Sequence, residues 1–124
     1  PRQARAAVKA TRPRVYARVK PNIGEDAGAA ELFTVTDTTL EYLKEEGAEA
    51  TKFGFDKVFG TGSTQDEIFE EVGETSLRAL RQGFNSTVLA YGQTGAGKSF
   101  SMEGPANNKG LVPRIFQRAF ELFS

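Results

Sequence analysis

The eight residues Gly92-Gln93-Thr94-Gly95-Ala96-Gly97-Lys98-Ser99 constrain this chain more than any other stretch. They fit the pattern G-x-x-x-x-G-K-S in full. Before them, Thr87-Val88-Leu89-Ala90-Tyr91 runs apolar without alternation, which suits a strand buried on both faces of an α/β sheet. After them, Phe100, Ser101 and Met102 begin a helix. Strand, glycine-rich turn and helix in that order predict a cradle for phosphate. Gly92, Gly95 and Gly97 allow backbone angles and a close approach that side chains would forbid. Successive amides can then point inward as an anion nest, and the helix aims its positive end at the same place. Lys98 is a compact charge able to reach the β and γ phosphates. The Ser99 hydroxyl can ligate Mg2+, a hard ion that favours oxygen donors. The competing explanation is a plain strand-to-helix turn with an incidental lysine. The agreement of strand, loop and helix argues against it. Ser99 is not expected to be an acyl-transfer nucleophile, because G-x-S-x-G is not matched and the chain has no His to act as base.

Composition narrows the chemistry further. At 124 residues the chain can form one ordinary domain or a piece of a larger one. The absence of Cys removes disulfides, thiolate metal sites and thiol nucleophiles. The absence of His removes imidazole ligands. Sixteen basic residues balance sixteen acidic ones, so net charge points to no partner. The distribution is uneven. Residues 1–20 hold seven basic residues and no acid, while residues 25–49 hold eight acids and one base. A basic arm can touch an acidic polymer or nucleic acid, but a solvated tail is the favoured explanation of the run. No aromatic residues interleave with the charges of Arg2 to Arg12, so no nucleic-acid partner is expected. No apolar run approaches the roughly 20 residues of a membrane span, and no apolar segment marks a secretory leader. No membrane association is expected, and a reducing, intracellular compartment fits.

Residues 1–13 are expected to form a flexible basic lead. Arg14 to Lys20 alternates, with Val15, Ala17 and Val19 on one face, and predicts a strand with that side buried. Pro21 stops it, and residues 22–29 are turn-rich. Phe33-Thr34-Val35-Thr36 and Thr39 to Leu43 are short strand candidates, and Gly47 breaks the segment. Lys52 to Phe59 alternates as one strand, with Phe53, Phe55 and Phe59 in odd positions, ended by Gly60. Thr64-Gln65-Asp66-Glu67 has capping-box spacing. A helix is expected from about Gln65 to Gln82, with Ile68, Phe69, Val72, Ser76, Ala79 and Leu80 at helical spacing and Gly83 beyond its end. Gly73 weakens that pattern slightly. Residues 104–110 form a loop. Pro113 fits the first position of a last helix whose apolar face is Ile115, Phe116, Ala119, Phe120 and Phe123.

These motifs, in this order, resemble the kinesin motor domain. Ala90-Tyr91-Gly92-Gln93-Thr94-Gly95-Ala96-Gly97-Lys98-Ser99 is similar to the family's A-Y-G-Q-T-G-x-G-K-[ST]. Met102-Glu103-Gly104 resembles M-x-G, and Gly110 to Arg114 resembles G-[IL]-[IV]-P-R. Phe53 to Phe59 resembles F-x-F-D-x-V-F, and Thr64-Gln65 with Ile68-Phe69 resembles T-Q-x-x-[IV]-[FY]. Arg18-Val19-Lys20-Pro21 resembles R-x-R-P. The resemblance covers Arg14 to Phe123. It implies a P-loop NTPase fold, a three-layer α/β/α sandwich of which residues 14–124 are the N-terminal part. It implies ATP and Mg2+ as cofactors, held by Gly92, Gln93, Thr94, Gly95, Ala96, Gly97, Lys98 and Ser99. Lys98 and Ser99 carry the catalytic roles, and Ser99 is the metal ligand. It also implies that Arg18, Pro21 and Tyr91, with Phe100 beside them, contact adenine. A solvated Arg18 and a simply buried Tyr91 are the plain alternatives. Lys20 stands where the family usually has Arg, and it lacks the planar guanidinium fork.

The resemblance also frames what is not found. Neither N-x-x-S-S-R nor D-x-x-G-x-E, the family's nucleotide switches, occurs in the sequence. Phosphoryl transfer depends on such positioning groups. The sequence therefore reads as about the first third of a microtubule-stimulated ATPase, located on microtubules in the cytoplasm. It is expected to bind nucleotide poorly and to turn it over slowly or not at all by itself. Its microtubule-facing elements and any coiled coil would lie elsewhere. The apolar Thr87–Tyr91 edge, lacking one strand partner, predicts self-association, pairing with the remainder of a motor, or partial order. Three other functions stay open at this point. They are a non-motor nucleotide-binding or assembly module without turnover, an unrelated P-loop kinase or GTPase, and a binder acting through the basic arm.

Overall fold

A computed structural model describes residues 12–21, 33–43 and 47–124. The proposed lead at 1–13 and the turn-rich loop at 22–29 lie wholly or mostly outside the described residues. Two small sheets form the β portion. Strand β1 (Tyr16–Arg18) runs parallel to β5 (Lys57–Phe59), with Ala17 opposite Val58. Strands β2 (Phe33–Val35), β3 (Thr39–Tyr42) and β4 (Thr51–Gly54) form an antiparallel meander. A tight turn joins β2 to β3, where the Thr39 amide donates to Thr36 Oγ1 at 3.0 Å. The facing rings of Phe33 and Tyr42, 5.2 Å apart, add a cross-strand pair.

The alternation from Lys52 to Phe59 predicts one strand, but the chain makes two, in different sheets. The break falls at Phe55 and Asp56. The Phe55 amide donates to the Thr38 carbonyl at 2.8 Å, and the Asp56 amide donates to the Val15 carbonyl at 2.9 Å. The backbone thus changes partner without disturbing the side-chain period, and a one-dimensional pattern cannot register that. The Asp56 carboxylate secures the change of partner. It accepts from the Arg12 guanidinium at 2.8 and 3.1 Å and from the Val15 amide at 2.8 Å. These donors, Arg12 first, hold the Asp56 carboxyl below its ordinary range. Because the folded value lies below the unfolded one, its stabilisation is complete above about pH 4 and is lost as pH falls below that. A carboxyl titration by NMR should place Asp56 under its peptide value, and a value at or above about 3.9 would contradict the pairing.

The face of β1 also differs from expectation. Val15 is half-exposed, whereas Tyr16 packs on the core and its ring lies 6.2 Å from that of Phe59. An alternating segment has two faces, and here the aromatic side finds the larger apolar surface.

The expected helix from Gln65 forms as one continuous helical run in three parts. These are α1 (Gln65–Ile68), a π-helical turn (Phe69–Gly73) and α2 (Glu74–Arg81). The capping box is complete. The Glu67 amide donates to Thr64 Oγ1 at 3.2 Å, and the Thr64 amide donates to Glu67 Oε2 at 2.6 Å. Gly73 has a packing reason, since a Cβ there would lie 2.4 Å from the Phe69 ring. Helix α3 (Lys98–Met102) is short, and α4 (Leu111–Phe123) follows a loop. Pro113 is the third rather than the first residue of α4, still within the turn whose amides have no intrahelical partner. Phe59, Ile68 and Leu111 make the core, with Phe69, Val72, Val88, Met102 and Ile115 packed around them. Arg114 fastens α4 across the core edge by pairing with Asp66 and donating to the Lys109 carbonyl at 2.6 Å.

The run Thr87–Tyr91 forms no ladder. It carries no regular secondary structure between Gly83 and the glycine-rich turn, with Leu89 87% exposed and Tyr91 fully exposed. A strand needs neighbours to accept its amides, and among the described residues none lies alongside it. The apolar face of α4 is open too, at Phe116, Phe120 and Phe123. A groove of about 260 Å3 runs between α2, Val88 and α4, lined mainly by apolar side chains such as Leu77, Leu80, Met102 and Ile115. No helix of the described residues is long and apolar enough to cross a membrane.

Candidate nucleotide-binding site

The glycine-rich turn leads straight into α3. Gly95 and Gly97 adopt φ of +84° and +96°, a left-handed conformation that a side chain would strain. Gly97 is the N-cap of α3, and its carbonyl accepts the Ser101 amide at 3.0 Å. The Ala96 amide closes the turn onto the Gln93 carbonyl at 3.1 Å. At Gly92 an added Cβ would press on Ala96 at 3.1 Å. The Lys98 ammonium folds back and donates to the Gly92 carbonyl, inside the loop. The Lys20 ammonium reaches the same loop and donates to the Gly95 carbonyl at 3.1 Å. Two cations are therefore lodged on the carbonyls of one exposed turn, with the Ser99 side exposed at the start of α3.

That donor set fits a polyphosphate with Mg2+. Lys98 and Lys20 could supply charge, amides of the turn could supply donors, and Ser99 could supply one hard oxygen ligand. No group of three or more His, Cys, Asp or Glu among the described residues is placed to hold a metal ion. Mg2+ commonly binds through one or two protein oxygens plus substrate phosphates, so Ser99 with a nucleotide suits it.

The adenine candidates are less gathered. Arg18 and Phe100 meet, the guanidinium carbon lying 5.2 Å from the ring centroid. Pro21 is exposed, and Tyr91 projects fully into solvent. Arg18 is also tied from below, donating to Gln65 Oε1 at 2.7 Å, to Ser101 Oγ at 2.9 Å and to the Ser63 carbonyl at 3.3 Å. Burial pushes its guanidinium pKa down, partly offset by Glu67. Gln65, only 3% exposed, completes the link by donating to the Phe100 carbonyl at 2.7 Å. From the residue order alone, Gln65 belongs to the helix cap and Ser101 has no role. One signal was present: Gln65 sits three residues before Ile68, on the apolar face of the helix, where an unpartnered amide is costly.

A family model, the kinesin motor domain, matches residues 11–124. This chain belongs to the kinesin motor domain family. The chain is 38% identical over 108 residues to the kinesin-like protein KIN-14B of Oryza sativa subsp. japonica, covering 86% of the chain and 13% of that protein. It is 36% identical over 121 residues to the kinesin-like protein KIF15 of Strongylocentrotus purpuratus, covering 88% of the chain and 8% of that protein. Among solved structures it is similar to a fast kinesin, with a TM-score of 0.77 and 32% identity over 87% of the chain and 32% of that structure. The fold is therefore the P-loop NTPase α/β fold of the kinesin motor, present here in part. The kinesin chain spans a fifth or less of the curated relatives' lengths given above.

Proposed function

We propose that this chain is the nucleotide-binding N-terminal portion of an ATP-dependent microtubule motor, holding Mg-ATP through Gly92–Ser99. What carries the reading is the turn with left-handed Gly95 and Gly97 and the Lys98 ammonium folded inside it, within a kinesin-family chain. Lys98 neutralises the β and γ phosphates in place of the Gly92 carbonyl it now holds. Ser99 contributes an oxygen to Mg2+, and the metal supplies charge neutralisation on the phosphates when bound. Arg18 and Phe100 flank the base, with Pro21 and Tyr91 beside them. In this reading the residues of Gly92–Ser99, with Arg18 and Phe100, bind and orient the nucleotide. Microtubules are the partner and the cytoplasmic cytoskeleton is the location. The exposed Leu89, Tyr91, Phe116 and Phe120 favour association with further protein surface, either a second copy or the rest of a motor.

The test is ATP hydrolysis by the full-length protein with and without polymerised tubulin. Stimulation by the polymer is expected. Nucleotide binding without stimulation would favour the alternative, a non-motor nucleotide-binding or assembly module.

A further inference from the structure

We propose that Gln65 is a positioning residue of the nucleotide site: its buried amide holds the Arg18 guanidinium over the Phe100 ring and fixes that pair to the first turn of α3. The inference rests on the phosphate-loop reading above and names what aligns the base-side half of the same site.

Each end of the Gln65 amide has a partner from a different element. Oε1 accepts from Arg18 on β1 at 2.7 Å, and Nε2 donates to the Phe100 carbonyl on α3 at 2.7 Å. A longer contact of 3.4 Å reaches the Asn108 carbonyl in the loop before α4. Gln65 itself belongs to α1, so one side chain joins its helix to a strand 47 residues before it and a helix 35 residues after it. An amide suits this task because it is donor and acceptor at once, without charge.

The other arginines with charged contacts show why the choice matters. Arg12, Arg114 and Arg118 each meet a carboxylate, on Asp56, Asp66 and Glu121. Arg18 is more enclosed than Arg12 or Arg118, yet among the described residues no carboxylate lies within ion-pair distance of it. Its three acceptors, Gln65 Oε1, Ser101 Oγ and the Ser63 carbonyl, are all neutral. A carboxylate partner would neutralise the guanidinium charge as well as hold the group in place. Neutral acceptors instead orient the guanidinium and leave its charge for a ligand. The Phe100 ring on one side and the α3 turn on the other then set the plane that the guanidinium presents.

The full chain is titrated by NMR with two probes, Mg-ATP and Mg-tripolyphosphate, the second lacking a base. Gln65→Met is expected to weaken Mg-ATP about tenfold and Mg-tripolyphosphate less than about twofold. Arg18→Met should do the same. The double variant should be no weaker than Arg18→Met alone, because Gln65 acts through Arg18. Additive losses, or equal losses for both probes, would overturn the inference. Should Gln65→Met fail to fold, Ser101→Ala removes a smaller tie to Arg18, and its effect on Mg-ATP should likewise vanish in the Arg18→Met background. If the unaltered chain bound tripolyphosphate and Gln65→Met left Mg-ATP affinity unchanged, only the role of Gln65 would fall. If the unaltered chain bound neither probe, the phosphate-loop reading would fall with it.

Discussion

Gly104→Ala is expected to destabilise the protein by about 3 kcal/mol, the sum of left-handed backbone strain and overpacking. Gly104 has φ of +65°, and a Cβ there would lie 2.4 Å from the Asn108 carbonyl oxygen and 2.5 Å from the Gly110 nitrogen. Both obstacles are backbone, so no rotamer change relieves them. The same Cβ would come within 3.0 Å of Gln65 Nε2, the donor to the Phe100 carbonyl. Gly110→Ala should cost about 2 kcal/mol by overpacking, since its Cβ would meet the Ser101 carbonyl oxygen and the Met102 carbonyl carbon at 2.7 Å. Gly62 is the control. Its Cβ would meet nothing within 4 Å, so Gly62→Ala should stay within about 0.5 kcal/mol of the parent. Denaturant unfolding of the three variants checks this. A Gly104→Ala protein as stable as Gly62→Ala would mean that the loop from Gly104 to Gly110 does not cross itself this closely.

Lys98→Ala is expected to lower Mg-ATP affinity about 100-fold, the range for losing a charge-assisted contact to phosphate. The ammonium lies within the loop, on the Gly92 carbonyl. Removing it deletes the one cation built into the turn itself. Lys20→Ala should have a smaller effect, about threefold, because Lys20 is exposed and reaches the loop from β1's end. Calorimetric titration of the full-length protein measures both. Equal effects of the two variants would remove the distinction between a loop cation and a peripheral one.

Much of this arrangement was legible in the residue order, and the exceptions share a cause. The capping box at Thr64 and the glycine spacing at Gly92, Gly95 and Gly97 are local rules, acting over three to five residues. They hold because nothing distant competes with them. The division of Lys52–Phe59 into β4 and β5 was not legible, because the event is a change of backbone partner from Thr38 to Val15. The inward turn of Tyr16 depended on Phe59, more than forty residues away. The strand expected at Thr87–Tyr91 reflects a real preference of its residues, but a preference becomes a strand only against a neighbour. In the candidate site, the glycine-rich turn was readable from its spacing. The anchoring of Arg18 was not, since Gln65 and Ser101 lie 47 and 83 residues from it in sequence.

The claim on which the rest depends is that bare amides of one turn, with Lys98, take hold of a nucleotide's phosphates. Backbone amide resonances of the 15N-labelled chain, followed while Mg-ATP is added, test it most directly. A phosphate-gripping turn predicts saturable shifts, however weak the affinity, that are largest at Gly95, Gly97, Lys98 and Ser99. Shifts confined to other parts of the chain, or none at these four amides at any nucleotide concentration, would contradict it.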